Sequence, residues 1–106
     1  MIVRADAPLG VQLAQTIHAA GQSAQLPGAR TASPPTVAIA LASPPAELAE
    51  LAAALAAAGV RHVCVHEPDD PWRGALMAIG VVPSPRALVR RFVAHLPLVR
   101  GKDDHG

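Results

Sequence analysis

Two polar side chains, Gln15 and His18, lie three residues apart in the segment Leu-Gly-Val-Gln-Leu-Ala-Gln-Thr-Ile-His-Ala at positions 9–19. In a helix, side chains at this spacing share one face and could form the wall of a polar site. An imidazole there could act as a general base, and an amide could stabilise a reacting oxygen. The same spacing also fits a histidine at a helix border that is bonded to a neighbouring residue.

An acidic stretch, His66-Glu67-Pro68-Asp69-Asp70, follows a strand-like run of apolar residues. A carboxylate at a strand end often faces a ligand crevice, and it can orient an imidazole and raise its basicity. Glu67 is therefore a candidate partner for His18, although a solvated acidic turn also explains the segment. His62 and His66 are spaced to lie on one side of a strand, but two histidines without a third ligand do not indicate a metal site.

Three arginines, Arg86, Arg90 and Arg91, cluster near the C-terminal end of the chain. Arg86 and Arg90 are one helical turn apart and therefore face the same way. Such a face could contact the phosphates of RNA, or it could be a solvated surface whose aliphatic stems cover apolar side chains.

Composition excludes several classes of function. The 106 residues carry a formal net charge of +1 and contain one Phe, one Trp and no Tyr, so neither a broad basic field nor an aromatic platform for bases is expected. Cys64 is the only cysteine. It cannot form an internal disulfide or a cysteine-based zinc site, and its valine neighbours indicate a buried strand position. No Gly-rich phosphate loop is present, and we expect neither a metal nor a cofactor.

Hydrophobic periodicity predicts the order strand, helix, strand, helix, strand, strand, helix. Strands are expected at Ile2–Val3 and at residues 36–42, 62–66 and 75–82. The first helix carries an apolar stripe of Leu9, Leu13 and Ile17. The second helix buries Leu48, Leu51 and Leu55, and the third helix directs Leu88, Val89 and Phe92 to the core. Asp6, Ser43 and Ser84 are expected to start the three helices, and Gly21 and Gly59 are expected to end the first two.

These elements predict a small three-layer α/β fold with a four-stranded mixed sheet and helices on both faces. Strand–helix–strand units favour parallel pairing, whereas the short connection between the third and fourth strands favours antiparallel pairing. We expect one domain over residues 1–106, with residues 102–106 as a disordered tail. We expect a homodimer, because alanine-rich helices bury little apolar area. No signal peptide or membrane-length apolar run is found, so a cytoplasmic protein is expected.

Several of these segments together resemble the type 2 peptidyl-tRNA hydrolases. The matching features are an opening strand, then Gln15, His18 and Ala19 in the first helix, and Ala78-Ile79-Gly80 in the last strand. A closing helix that begins near Pro85 and the segment His95-Leu96-Pro97-Leu98 also match. The resemblance implies a four-stranded mixed sheet, a dimer and cleavage of the ester at the tRNA 3′ end.

The resemblance further implies roles for individual residues. His18, Gln15 and Glu67 would be the catalytic residues, and Arg86, Arg90 and Arg91 would contact tRNA. The family keeps a lysine four residues before the glutamine, where this chain has Val11, and it has a Gly-Arg-Thr segment that residues 68–73 lack. The expected function is therefore a divergent peptidyl-tRNA hydrolase of weak activity. The alternative is an inactive relative that binds RNA or protein.

Overall fold

The computed structural model describes residues 1–29 and 37–101. The predicted order of elements is confirmed. The elements are β1 (Ile2–Arg4), α1 (Leu9–Ser23), β2 (Leu41–Ser43), α2 (Pro45–Ala57), β3 (His62–Glu67), β4 (Ala75–Val81) and α3 (Arg86–Val93). The predicted tail at residues 102–106 and the predicted start of the second strand at Thr36 lie outside the described residues.

The four strands form one mixed sheet in the order β2-β1-β4-β3. β1 and β2 pair in parallel, and β4 runs antiparallel to both β1 and β3. The predicted mixed sheet and the predicted antiparallel β3–β4 pair are therefore confirmed. Because β1, β2 and β3 run in the same direction, their C-terminal ends meet at one end of the sheet.

Alternate residues of the sheet face two separate layers, as the period of a strand requires. Ile2, Ile79 and Cys64 form one row across β1, β4 and β3 and contribute to the larger core with α2 and α3. The next row, Val3, Ala78 and Val65, faces the other way and packs against Ala19 of α1. α1 thus covers one face of the sheet, and α2 and α3 cover the other.

The second strand is shorter than its apolar sequence predicts. Residues 37–40 are not in a strand, and Val37 and Ile39 are exposed. Of the described residues in the predicted strand at residues 36–42, only Leu41 and Ala42 belong to β2, which lies at the edge of the sheet. Its outer side is met by residues 97–99, where Leu98 forms an isolated antiparallel bridge with Leu41.

The predicted side-chain caps do not form. Each helix begins after a proline, namely Pro8, Pro44 and Pro85, without a capping hydrogen bond from a side chain. Asp6 instead binds the Arg4 guanidinium, and the Ser43 and Ser84 hydroxyls donate to backbone carbonyls beside them. α1 continues past Gly21 to Ser23, whereas Gly59 follows the end of α2 with a φ of +72°, as its predicted role requires.

The apolar stripe of α1 faces outward. Leu9, Leu13 and Ile17 are exposed, and the buried positions of this helix are Gln12, Gln15, Ala19 and Ser23. On α3 the prediction holds for Val89 and Phe92, which pack against the larger core, but Leu88 is exposed. In both helices the apolar spacing predicted the helix correctly, but it did not predict which of the apolar residues face the core.

Candidate functional site

Close approach of α1 to the sheet places its polar face in the interior. A Cβ atom at Gly80 of β4 would overlap the carbonyl oxygen of Ala19, so only glycine permits this helix–sheet distance. Ala78, beside it on β4, is also small and fully buried. The polar residues on the underside of α1 therefore lie against the sheet rather than in solvent.

Gln15 and Glu67, separated by 52 positions in sequence, meet in this interior. Gln15 is 4% exposed, and its Nε2 donates to Glu67 Oε2 over 3.1 Å. The other carboxylate oxygen of Glu67 accepts from the backbone N–H of Asp69 over 3.2 Å. The sequence predicted that His18 would connect the first helix to the end of β3. In the structure Gln15 makes this contact.

The amide oxygen of Gln15 is buried and has no hydrogen-bond partner among the described residues. The carboxylate fixes the orientation of the amide, since an amide oxygen turned toward Glu67 would face another acceptor. The unpaired amide oxygen of Gln15 is therefore a hydrogen-bond acceptor, which suits an N–H or O–H donor of a ligand. Its sequence-predicted role as a donor to a reacting oxygen does not use this free atom.

His18 lies one turn further along the same helix but is exposed. Both hydrogen bonds that Glu67 accepts through its carboxylate come from Gln15 and Asp69, so the described residues show no hydrogen bond between His18 and Glu67. Val11 precedes Gln15 by one turn and is half-buried. Val11, Gln15 and His18 therefore lie along one flank of α1, with the imidazole at its solvent-facing end.

The loop after Glu67 turns tightly back into β4. The backbone N–H of Gly74 donates to the carbonyl of Glu67 over 2.6 Å, and Arg73 and Gly74 both have positive φ. Arg73 Nε donates to Asp70 Oδ1 over 2.6 Å in an exposed pair. The guanidinium of this loop is thus engaged by a carboxylate of the same loop.

A second arginine near the end of the sheet is also paired. Arg4 makes two hydrogen bonds to the Asp6 carboxylate, at 2.8 and 2.7 Å, and lies over the ring of Trp72 at 5.1 Å. The hydrogen bond from Arg4 lowers the pKa of Asp6 below its usual value and raises that of Arg4. Trp72 is half-buried, so it packs as part of this edge rather than projecting as an anchor.

Arg86, Arg90 and Arg91 do not join Gln15 and Glu67. All three are exposed on α3, which covers the opposite face of the sheet from α1. The Arg91 guanidinium lies 4.6 Å from the centre of the Phe92 ring. Near this helix, Arg61, Ser84, Leu88 and Arg91 line an open groove of about 350 Å³. Sequence reasoning missed Arg61, which no motif marks.

The two histidines of β3 belong to no group of three metal-ligating side chains among the described residues. The β3–β4 register shifts between Val65 and His66, but the extra residue, Met77, lies on β4, so the alternation of β3 that places His62 and His66 on one side is not interrupted. His62 Nδ1 lies 2.8 Å from the Val60 carbonyl oxygen. Within residues 1–29 and 37–101, no three His, Cys, Asp or Glu side chains are placed to hold a metal ion.

Cys64 is a half-buried residue of β3 that packs against the larger core. Burial raises the pKa of its thiol, so the reactive thiolate is disfavoured. The strand position expected from its valine neighbours is confirmed, but the side chain is half-buried rather than buried.

Comparison with known protein families and with curated proteins gives no match for this chain. Among the helices in the described part of the chain, none is long and apolar enough to cross a lipid bilayer.

Proposed function

We propose that this chain is a divergent relative of the type 2 peptidyl-tRNA hydrolases that slowly cleaves the ester between an acyl group and tRNA. The observation that carries the proposal is the hydrogen bond between buried Gln15 and half-buried Glu67, together with the unpaired amide oxygen of Gln15. A buried acceptor without a partner costs about 1–3 kcal/mol. Such a cost is understandable where a bound ligand supplies the missing donor. The sheet and helix order that the family resemblance implies supports the same conclusion.

The chemistry assigns a distinct task to each group. Glu67 would accept a proton from the attacking water as the water oxygen bonds to the acyl carbon. Gln15 would hold the carboxylate through Nε2 and accept a hydrogen bond from the substrate through Oε1. His18, in its protonated form, would give a proton to the ribose oxygen as the ester C–O bond breaks. This arrangement makes Glu67, rather than His18 as the sequence predicted, the general base, since Gln15, not His18, binds the carboxylate.

Activity is expected to be low because position 11 has no cation. The developing oxyanion needs a donor, and losing one such donor costs on the order of 10²–10³ in rate. A lysine at position 11 would lie one turn before Gln15 on the same flank of the helix. Its ammonium could reach both the free amide oxygen and the substrate.

The alternative function is binding of RNA or protein without catalysis. Two observations favour it: His18 is not hydrogen-bonded to Glu67, and Val11 is apolar. In this function the arginines of α3 would contact phosphates, and the Gln15–Glu67 pair would bind a donor group without promoting a reaction.

Release of N-acetylated amino acid from acylated tRNA tests the proposal. Wild type is expected to exceed the uncatalysed rate, and Glu67→Gln is expected to return to it, because an amide cannot accept the proton of water. Val11→Lys is expected to raise turnover by at least about tenfold, which is part of the lost oxyanion stabilisation. His95→Gln is the matched control for His18→Gln, since His95 is exposed and contacts Glu47 of α2.

Each outcome decides between the two functions. Turnover that is lost in Glu67→Gln, lowered in His18→Gln and unchanged in His95→Gln supports the hydrolase. Absence of turnover in both wild type and Val11→Lys refutes the hydrolase and favours the binding function.

A further inference from the structure

The polar atoms around Gln15 carry a negative charge that no cation of the described residues offsets. The Glu67 carboxylate accepts from two neutral donors, the Gln15 amide and the backbone N–H of Asp69. The salt bridges of the described residues lie elsewhere and do not include Glu67. Beside this charge, the amide oxygen of Gln15 is free to accept a further hydrogen bond. An anionic site with a free acceptor favours a donor that is positively charged.

The two arginines at this end of the sheet are already neutralised. Arg4 is bound by Asp6 and Arg73 is bound by Asp70, and each pair has no net charge. Helix α1 has no Lys or Arg at any of its fifteen positions. Neither α1 nor the loop after β3 therefore supplies a free guanidinium or ammonium to the Glu67 carboxylate.

Burial of the free acceptor limits the size of its donor. Gln15 is 4% exposed and its amide oxygen is buried, whereas Glu67 is half-buried, so a ligand approaches from the Glu67 side. A primary ammonium is a compact cation with three N–H donors. An acylated nitrogen has one N–H, carries no charge and is flanked by a second carbonyl group. Size and charge therefore select the same kind of nitrogen, which is a free ammonium.

We propose that this site accepts esters whose acyl group carries a free α-ammonium, as aminoacyl-tRNA does, in preference to esters with an acylated nitrogen. The ammonium donates to Gln15 Oε1, and the Glu67 carboxylate attracts its charge. In a peptidyl ester the corresponding nitrogen is an amide and lacks that charge. Cleavage of the aminoacyl ester rests on the proposed hydrolase, whereas binding of the ammonium does not require it.

Binding of the ammonium leaves the Glu67 carboxylate able to act as the base. A carboxylate has about four lone pairs, and the donors from Gln15 and Asp69 occupy two of them. A remaining lone pair accepts a proton from water as the water oxygen bonds to the acyl carbon. The ester C–O bond breaks, the ribose oxygen receives a proton from His18, and the products are an amino acid and tRNA.

A pair of esters tests this specificity with the full chain. Turnover of phenylalanyl-tRNA and of N-acetylphenylalanyl-tRNA is measured, and each rate is divided by the rate of the same ester without protein. Wild type is expected to accelerate the free aminoacyl ester at least about tenfold more than the acetylated one, because a charged donor forms a hydrogen bond about twice as strong as a neutral donor does.

A charge placed on either side of α1 tests the cause of the preference. Val11→Lys puts an ammonium one turn before Gln15 and should reverse the preference, because it repels the ammonium of the substrate. Leu13→Lys is the matched control, because Leu13 is 52% exposed on the face of α1 that points away from the sheet. It should keep the preference of wild type. A reversal by both lysines overturns the proposal, since the net charge of the protein would then explain it.

Two uncleavable amides separate this specificity from hydrolysis itself. Phenylalanine amide should shift the NMR signal of the Gln15 side-chain NH₂ at a concentration at least about tenfold lower than N-acetylphenylalanine amide does. Equal acceleration of the two esters by wild type, or greater acceleration of the acetylated one, overturns the specificity and leaves the hydrolase intact. Cleavage of neither ester refutes the hydrolase. In that case a preference for phenylalanine amide supports an ammonium site, and equal binding of the two amides overturns it.

Discussion

Gln12 and Gln15 are both buried on α1, three residues apart, but their amides are satisfied to different degrees. Gln12 Nε2 donates to the carbonyls of Ala7 and Ala5, at 2.7 and 3.3 Å, in the turn that leads into the helix. Gln15 makes one hydrogen bond and leaves its oxygen unpaired. Gln12 thus completes the backbone hydrogen bonding of the turn, whereas the amide oxygen of Gln15 remains available as an acceptor.

Replacing each glutamine with methionine should therefore have unequal effects. Gln12→Met leaves the Ala7 and Ala5 carbonyls without their side-chain donor, so the free energy of unfolding should fall by about 1–3 kcal/mol. Gln15→Met leaves the half-buried Glu67 carboxylate without a donor but also removes an unsatisfied buried acceptor, so the two effects partly cancel and the net change should stay below about 1 kcal/mol. Urea denaturation at one fixed protein concentration measures both. Equal losses would show that Gln15 is held for stability rather than for a ligand.

At the scale of elements, the position of α1 depends on Gly80. A side chain there would overlap the Ala19 carbonyl and lie 3.1 Å from the Ser23 Cβ. Gly80→Ala should force the helix away from β4 and lower the free energy of unfolding by about 1–3 kcal/mol, as overpacking does. It should also separate Gln15 from Glu67 and lower any activity.

Gly21→Ala provides the comparison for Gly80→Ala. Gly21 lies within α1, and a Cβ there meets no other atom within 4 Å. Alanine should stabilise the helix by up to about 1 kcal/mol, because glycine is the poorer helix former. Thermal denaturation of the two variants should shift in opposite directions. A Gly80→Ala protein as stable as wild type would mean that the close approach of helix and sheet is not required.

Most of the fold could be predicted from the sequence because element order depends on local apolar periodicity. The antiparallel β3–β4 pair followed from a connection too short for a crossover. The orientation of α1 could not be predicted in this way. Periodicity locates an apolar stripe, but it does not determine whether the stripe faces the sheet or faces outward. Here the small residues Ala78 and Gly80 and the carbonyls bound by Gln12 favour the polar side.

The candidate site could be predicted only in part from the sequence. Gln15 and Glu67 were selected for their residue types, and the fold brings them together. The exposure of His18 depends on the rotation of α1 about its axis, which the sequence does not determine. The separation of Arg86 and Arg90 from that pair depends on which face of the sheet α3 covers, which is a property of the topology.

Over the whole molecule, the sheet separates the Gln15–Glu67 pair from the arginines of α3. An RNA that reached both would have to pass around an edge of the sheet. Substitution of the arginines should therefore weaken RNA binding while leaving turnover at saturating tRNA unchanged. Three phosphate contacts give a slope of log K against log salt of about −2 to −3.

Titration of tRNA at several salt concentrations measures this effect. Arg86→Gln with Arg90→Gln should reduce the slope to about one third, since one of three contacts remains. Arg73→Gln is the control, because Arg73 is exposed but bound to Asp70 in the β3–β4 loop. A slope that is the same in all three proteins would identify the α3 arginines as an ordinary solvated surface.

The two outer strands have different consequences for growth of the sheet. β2 pairs on its outer side with the segment that contains Leu98. The backbone N–H groups of Ala42 and Val99 donate the hydrogen bonds between β2 and this segment. β3 pairs on its inner side with β4, whose Met77 is the extra residue where the register shifts between Val65 and His66. Strand-by-strand addition of further copies, the route to fibrous aggregates, is therefore disfavoured at the β2 edge, where Leu98 already pairs with the outer side of the strand.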